Sequence, residues 1–387
     1  MSDSYKKIGI DCRFWGVTHA GLGRYTRELV LEIIKKCSKQ YQFTLFFQQD
    51  EWRKDKTALS KCQIIETNAP HYSIYKEQFE LKKIIEREKL DLMHFTHFNV
   101  PIFLKTPYIV TIHDLIKHFF KGRPVTTHSL PVYWLKYGGY RLVIAQAIKR
   151  SKAIIVPSYF TKDQIAVHYL GFEHKIKVIY EGVRTPFTDV EIANQLKTKK
   201  IRNKYNITKP YFIYTGSAYA SKNVKMLILA VKQLIENWTE IQLIIACARN
   251  YFWEKLEKDI IQLNMQNYVV MPGMIPDDEL SVLYQNSLGF VMPSLMEGFG
   301  LPALEAMASG AIILSSNTGS LPEIYENNAI YFNPTELNKM ISGMEFVIKM
   351  SDLQRTARIK RGIKFASKYS WDKAALETLD LYSHFLD

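Results

Sequence analysis

The chain has 387 residues, 47% apolar and 23% charged, a balance that places it among soluble globular proteins of two domains or one large one. No run approaches the roughly 18 uninterrupted apolar residues a spanning helix needs. Residues 1–7 lack the apolar core of a secretion signal. Cys12, Cys37, Cys62 and Cys247 match no metal-ligand spacing and read as reduced thiols of a cytoplasmic protein. The net charge of +13 belongs to the first half: residues 1–183 carry 29 Lys and Arg against 17 Asp and Glu, and residues 184–387 carry 22 against 21. A nucleic acid, an anionic membrane or a phosphorylated substrate would suit that excess, and so would lysine used only for solubility.

Residues 7–11 read as a first strand, 20–25 as a glycine turn and 25–37 as an amphipathic helix with Leu29, Val30, Ile33, Ile34 and Cys37 at helical spacing. The turn suits a phosphate, but it is a poor dinucleotide fingerprint. The G-x-G-x-x-G pattern fails after Gly23, and about nine residues separate it from the strand. Strands follow at 43–47, 63–66, 90–95 and 108–112, with a charged helix at 76–89. This alternation predicts an α/β, doubly wound parallel sheet. Ligands of such sheets bind beyond the carboxyl ends of the strands, which is where His113 and Asp114 fall.

Residues 118–137 mix aromatics with cations, and a helix over 131–150 ends in Lys149 and Arg150. Such a composition suits the headgroup layer of a membrane, or simply a packed core. Segments 153–158 and 177–183 complete the first domain. Residues 184–208 read as a connection with a short helix at 191–204. A second sheet then uses strands at 211–216, 241–246, 269–273, 289–293 and 311–314, with helices at 224–238 and 254–263 and one capped by Asp277 or Asp278. Ser320 to Glu323 reads as a capping box. The tail is helical from Met340, and 371–385 is amphipathic.

The most specific stretch is 294–310. A buried strand leads into Glu297-Gly298-Phe299-Gly300-Leu301-Pro302, a helix that Pro302 can open follows, and Gly310 ends it. Free N–H groups and the positive helix end would welcome an anion there. Glu297 and Glu305 flank that place. Carboxylates beside an anion site need other partners, and sugar hydroxyls are natural ones. An ordinary helix start with acids complementing its dipole is the plainer explanation for a single glutamate.

This stretch resembles the E-x7-E motif of retaining glycosyltransferases of the GT-B fold, family 4. Gly21-Leu22-Gly23-Arg24-Tyr25 resembles the family's first glycine loop, with Ala20 where a glycine is usual, and His113-Asp114 resembles its Thr-x-His-Asp stretch. Segments 153–158, 177–183 and 319–323 agree as well, so the resemblance spans nearly the whole chain. It implies two Rossmann-like domains facing each other across a cleft: residues 1–190 for the acceptor, a linker at 191–208, residues 209–369 for the donor, and a last helix, 370–387, crossing back to the first domain.

By the same resemblance the donor is a nucleoside diphosphate sugar. Glu305 would hold the ribose, and Glu297 with the loop from Gly298 through Phe299, Gly300 and Leu301 would hold the sugar. Gly21, Gly23, Gly216 and Lys222 would face the diphosphate, and His113 the sugar, so that His113, Lys222 and Glu297 carry catalysis. The family's second basic residue is missing before Lys222, and Arg249, in the next loop, could substitute for it.

Transfer would proceed with retention, by same-face attack, since no carboxylate nucleophile is agreed for the family. No Asp-x-Asp pair occurs, so no metal and no other cofactor is expected. Likeness to bacterial polysaccharide and O-antigen enzymes favours mannose from GDP-mannose, a glycan or polyprenyl-linked acceptor, and a cytoplasmic protein that can sit peripherally on the plasma membrane through its basic first domain. A GT-B phosphorylase or epimerase shares the fold. An NAD oxidoreductase lacks its fingerprint here, and a nucleic-acid-binding protein lacks any known module.

Overall fold

Strands and helices alternate along the chain, and the chain uses that alternation to build two parallel sheets. The computed structural model describes residues 5–16, 19–37, 40–48, 50–71, 73, 75–184, 187, 195–237 and 240–386. It divides into one unit of Met1–Leu115, His128–Gly182 and Ser370–Asp387, and a second of Ile116–Thr127 and Val183–Tyr369.

In the first unit, β1 (Lys6–Asp11), β2 (Tyr41–Phe47), β3 (Gln63–Glu66), β4 (Leu92–Phe95), β5 (Tyr108–Thr111), β6 (Ile154–Val156) and β7 (Ile176–Val178) form a sheet of order β3-β2-β1-β4-β5-β6-β7. All its pairings are parallel, with Ile10 beside Leu45 on one side and beside His94 on the other. Helices cover both faces of such a sheet, so central strands read as near-continuous apolar runs; β4 and β5 are buried at every position. The final helix, Trp371–Leu386, packs against helix Ala20–Lys36 in this unit, and Lys36 pairs with Asp372. His94 locks it further, with Nδ1 2.7 Å from the Tyr382 hydroxyl and Nε2 3.0 Å from Thr111 Oγ1.

The second unit aligns β8 (Tyr211–Thr215), β9 (Gln242–Ala246), β10 (Val269–Val270), β11 (Gly289–Met292), β12 (Ile313–Ser316) and β13 (Ala329–Phe332) in the order β10-β9-β8-β11-β12-β13. Helix Val224–Leu234 turns Val224, Leu227, Ile228, Val231 and Leu234 inward, the three-and-four spacing of a one-faced helix. They join β8, β9 and helix Leu337–Ile348 in one core.

Several local expectations need correction. Helix Ala20–Lys36 starts five residues before the expected Tyr25, so Gly21 and Gly23 lie within its first turns and no glycine turn forms. Helix Val224–Leu234 stops short of the expected end at Trp238, which lies outside the described residues, as do residues 1–4 and 191–194 of other expectations. Pro276, rather than Asp277 or Asp278, holds the N-cap position of helix Asp277–Gln285; both acids sit in its first turn, where they complement the dipole. Ser320 caps nothing with its side chain, and the capping box is instead Ser351–Gln354, at the start of helix Asp352–Ala366.

Candidate active site

In an open parallel sheet a crevice opens where neighbouring strands send their connections to opposite sides. In the second unit that place lies between β8 and β11. Lys222 follows β8 and Glu297 follows β11, and the topology brings them together. Lys222 Nζ donates to both carboxylate oxygens of Glu297 at 2.7 Å, and Ser294 Oγ donates to Oε1 at 2.6 Å. Glu297 is 8% exposed. The cation expected to face a diphosphate thus rests on the carboxylate expected to face a sugar. Charge-assisted contacts of this length are the strong kind.

Backbone ties explain why both loops stay in place. Asn223, in the left-handed conformation, donates through its amide to the carbonyls of Pro293 at 3.1 Å and Pro334 at 2.9 Å. The Leu295 N–H donates to the Ser221 carbonyl at 2.8 Å. Ser316 Oγ and Thr318 Oγ1 donate to the Ser294 carbonyl at 2.6 and 3.1 Å. Ser320 donates through its hydroxyl, at 3.1 Å, and its N–H, at 3.3 Å, to the carbonyl of Glu297. A Cβ at Gly319 would stand 2.9 Å from the Glu297 nitrogen. The stretch read as a capping box therefore serves to seat Glu297.

Residues 296–300 are buried throughout, and Gly300 enters helix Leu301–Ala308 at φ +95°. Any larger residue would put its Cβ 2.2 Å from the Tyr325 hydroxyl, which donates to the Gly300 carbonyl at 2.6 Å. Pro302 fills the first turn. At the far end Gly310 N–H reaches the Met307 carbonyl and Ala311 N–H the Ala306 carbonyl, a Schellman closure. Glu305, 1% exposed, sits on this helix eight residues after Glu297. Phe299 packs edge-on to Tyr369, and Leu301 is buried. Burial, reinforced by the Glu297 charge, pushes the Tyr214 and Tyr325 phenols well up, so both stay neutral donors. Gly216 continues from β8 at φ +148°, its N–H on the Ala246 carbonyl. Arg249 stacks over Trp253 and lies beside Gly273.

In the first unit the equivalent switch falls between β1 and β4. Gly21 has open space where a Cβ would be, whereas a Cβ at Gly23 would strike the Gly16 carbonyl at 1.8 Å. Gly23 lets the loop after β1 lie on the helix. His113 follows β5. Its Nε2–H donates to the Thr96 carbonyl at 3.0 Å, and its Nδ1 faces Glu181 Oε1 at 3.4 Å.

Sequence reasoning missed a buried group beside it. Arg13 donates to Asp11 through Nε at 2.9 Å and Nη2 at 2.8 Å, and its Nη1 meets Glu77 at 3.1 Å. Asn99 links Glu77 to His97. Burial alone would raise the Asp11 carboxyl, but the Arg13 charge and hydrogen bonds hold it below its ordinary value. The available signal was an acid and a base two residues apart at the end of an apolar strand.

Two parallel-sheet units with this strand–glycine loop–helix joint define the GT-B class. Residues 20–186 match the model of Glycosyltransferase Family 4, and residues 197–364 match that of Glycosyl transferases group 1. The chain belongs to these group 1, family 4 glycosyltransferases. It is 25% identical over 299 residues to the O-antigen chain mannosyltransferase RfbU of Salmonella typhimurium, covering 77% of this chain and 75% of that protein. It is 29% identical over 188 residues to O-antigen chain mannosyltransferase B of Escherichia coli, covering 47% of this chain and 48% of that one. Its fold superposes with a TM-score of 0.76 on Anabaena HepE, solved in complex with UDP and glucose, at 16% identity and over 98% of this chain and 100% of that one. No helix among the described residues is long and apolar enough to cross a membrane.

Proposed function

We propose that the protein is a retaining, metal-independent hexosyltransferase. It moves a sugar, mannose from GDP-mannose before others, onto a glycan or lipid-linked acceptor in cell-surface polysaccharide synthesis. The names of its O-antigen relatives support the sugar and the pathway class, and the UDP and glucose bound by HepE support a nucleoside diphosphate donor. The observation that carries the reading is the Lys222–Glu297 pair beside the buried loop 296–300.

A donor diphosphate offers Lys222 a stronger counter-charge than Glu297 does. When the ammonium turns to the phosphates, the carboxylate is left to accept hydrogen bonds from sugar hydroxyls, with Ser294 still holding one oxygen. Glu305 takes the ribose, and the backbone from Gly298 to Leu301, together with Gly216, closes on sugar and diphosphate. The acceptor binds the first unit. The bond from the sugar's anomeric carbon to the diphosphate breaks, and the acceptor oxygen bonds to that carbon on the same face. The acceptor proton passes to the departing phosphate oxygen. Lys222 and the helix N-terminus stabilise the charge that grows there.

Transfer assayed in excess EDTA, with the product's anomeric configuration read by NMR, tests this. Full turnover with retained configuration is expected. Lost turnover would remove metal independence, and inversion would remove the mechanism.

A further inference from the structure

A cluster of rings stands beyond the carboxyl ends of β1 and β4, the two strands that flank the switch of the first unit. Phe14 lies at its centre. It stacks on His71 with centroids 3.5 Å apart, and meets His19 edge-on at 5.2 Å and His97 at 4.8 Å. His19 holds the N-cap position of helix Ala20–Lys36 without capping it, and its buried Nε2 meets no hydrogen-bond partner among the described residues. A buried nitrogen in that state is costly unless a ligand satisfies it. The charges behind His97 set its tautomer. Burial would raise the Glu77 carboxyl, but His71 and the Arg13 charge hold it below its ordinary value, so it stays ionised. An ionised carboxylate only accepts. The amide nitrogen of Asn99 therefore faces Glu77, at 3.3 Å, and its oxygen faces His97 Nδ1, at 2.5 Å. Nδ1 carries the proton, and Nε2 of the neutral ring is an acceptor.

We infer that His97 is a specificity-determining residue for the acceptor: its Nε2, with His19 beside it, accepts a hydrogen bond from a hydroxyl of an uncharged sugar. Asn99, Glu77 and Arg13 are positioning residues that fix its tautomer. The inference deepens the transferase reading and rests on it. Charge excludes an acidic sugar. Two carboxylates, Asp11 and Glu77, share one guanidinium, that of Arg13, which leaves one net negative charge beneath the rings. Glu51 adds an acid near His19. Burial and the Arg13 charge push the His71 imidazole down, so at pH 7 it offers no compensating cation. A hydroxyl meets acceptors in this cluster, and a carboxylate meets repulsion.

Saturation-transfer NMR of the full chain with the methyl glycosides of mannose, glucose, galactose and N-acetylglucosamine tests it, followed by the uronate form of whichever binds. At least one neutral glycoside is expected to bind the wild type, and its uronate about tenfold or more weakly. His97→Phe keeps a ring and loses the acceptor, and should weaken binding about tenfold. His97→Gln, whose amide oxygen can stand near the Nε2 position, should recover part of that loss. Nitrogen-15 spectra should show His97 protonated at Nδ1 in the wild type and a mixture of tautomers in Asn99→Ala, a change that lost stability alone does not produce. Glu297→Ala, in the second unit, should leave glycoside binding unchanged. Binding that His97→Phe weakens and His97→Gln restores would uphold the site even if no nucleotide sugar raised the melting temperature, a result that would count against the transferase reading alone. A wild type that a nucleotide sugar stabilises but that binds no neutral glycoside would overturn the inference. So would a uronate that binds as tightly as its neutral form, or unchanged binding in His97→Phe.

Discussion

Lys222→Met removes the cation that neutralises Glu297 and leaves a nearly buried carboxylate with a single hydroxyl, that of Ser294. Unit charges about 4 Å apart attract by about 4 kcal/mol at an effective dielectric constant of about 20. Desolvation takes back part of that, but Lys222 keeps 21% of its side chain exposed, so its share is incomplete. A net coupling of about 1–3 kcal/mol remains. Lys222→Met, Glu297→Gln and the double variant form the cycle, followed by urea unfolding with separate transitions fitted for the two units. Lys222→Met alone should cost about 2–4 kcal/mol in the second unit, and the double variant should cost less than the two singles together. Costs that add to within about 0.5 kcal/mol would show that the pair is not coupled and would refute the reasoning.

The two glycines at the start of helix Ala20–Lys36 should behave oppositely. Gly23→Ala drives a Cβ into the Gly16 and Phe14 carbonyls, backbone atoms that cannot turn aside, and should cost at least about 3 kcal/mol. Gly21→Ala meets nothing and should stabilise the helix by up to about 1 kcal/mol; equal melting temperatures for the two variants would remove the distinction. His94 provides a pH test. Burial holds its imidazole at about 3, against 6.5 in the unfolded chain. Above pH 6.5 neither state takes the proton. Below it the unfolded chain protonates first, so stability falls as pH drops towards 3, with a limiting slope of about 1.4 kcal/mol per pH unit. Thermal melts from pH 7 to 5 should show a steeper loss in wild type than in His94→Gln, and matching slopes would contradict the assignment.

The second sheet was legible in the sequence because strands buried on both faces are continuous apolar runs, as at Tyr211–Thr215, and because Pro302 and Gly310 bracket their helix at the positions their backbones favour. Glu297 and Glu305 could be singled out, since acids beside a glycine loop are costly without a purpose. The pairing of Glu297 with Lys222 could not be read, because it joins residues 75 apart through strand order, which local periodicity does not encode. Ser320 shows the opposite failure. Its spacing to Glu323 satisfies a local rule, yet the tertiary fold offers its hydroxyl the Glu297 carbonyl. The start of helix Ala20–Lys36 was misplaced because glycine's low helix propensity argued for a turn, whereas Gly23 is needed where Gly16 crosses the helix closely.

The central claim is that the second unit grips a nucleoside diphosphate sugar through Glu297 and its neighbours. Thermal shift across GDP-, UDP- and dTDP-sugars, in wild type and in Glu297→Ala, tests it most directly, because a ligand that binds only the native state raises its stability. At about 100 times its dissociation constant, the true donor should add about 2.7 kcal/mol, or about 5 °C or more for a unit of this size. Glu297→Ala should stay folded and lose most of that shift together with transfer. No shift with any donor, or an equal shift and near-normal turnover in Glu297→Ala, would contradict the account.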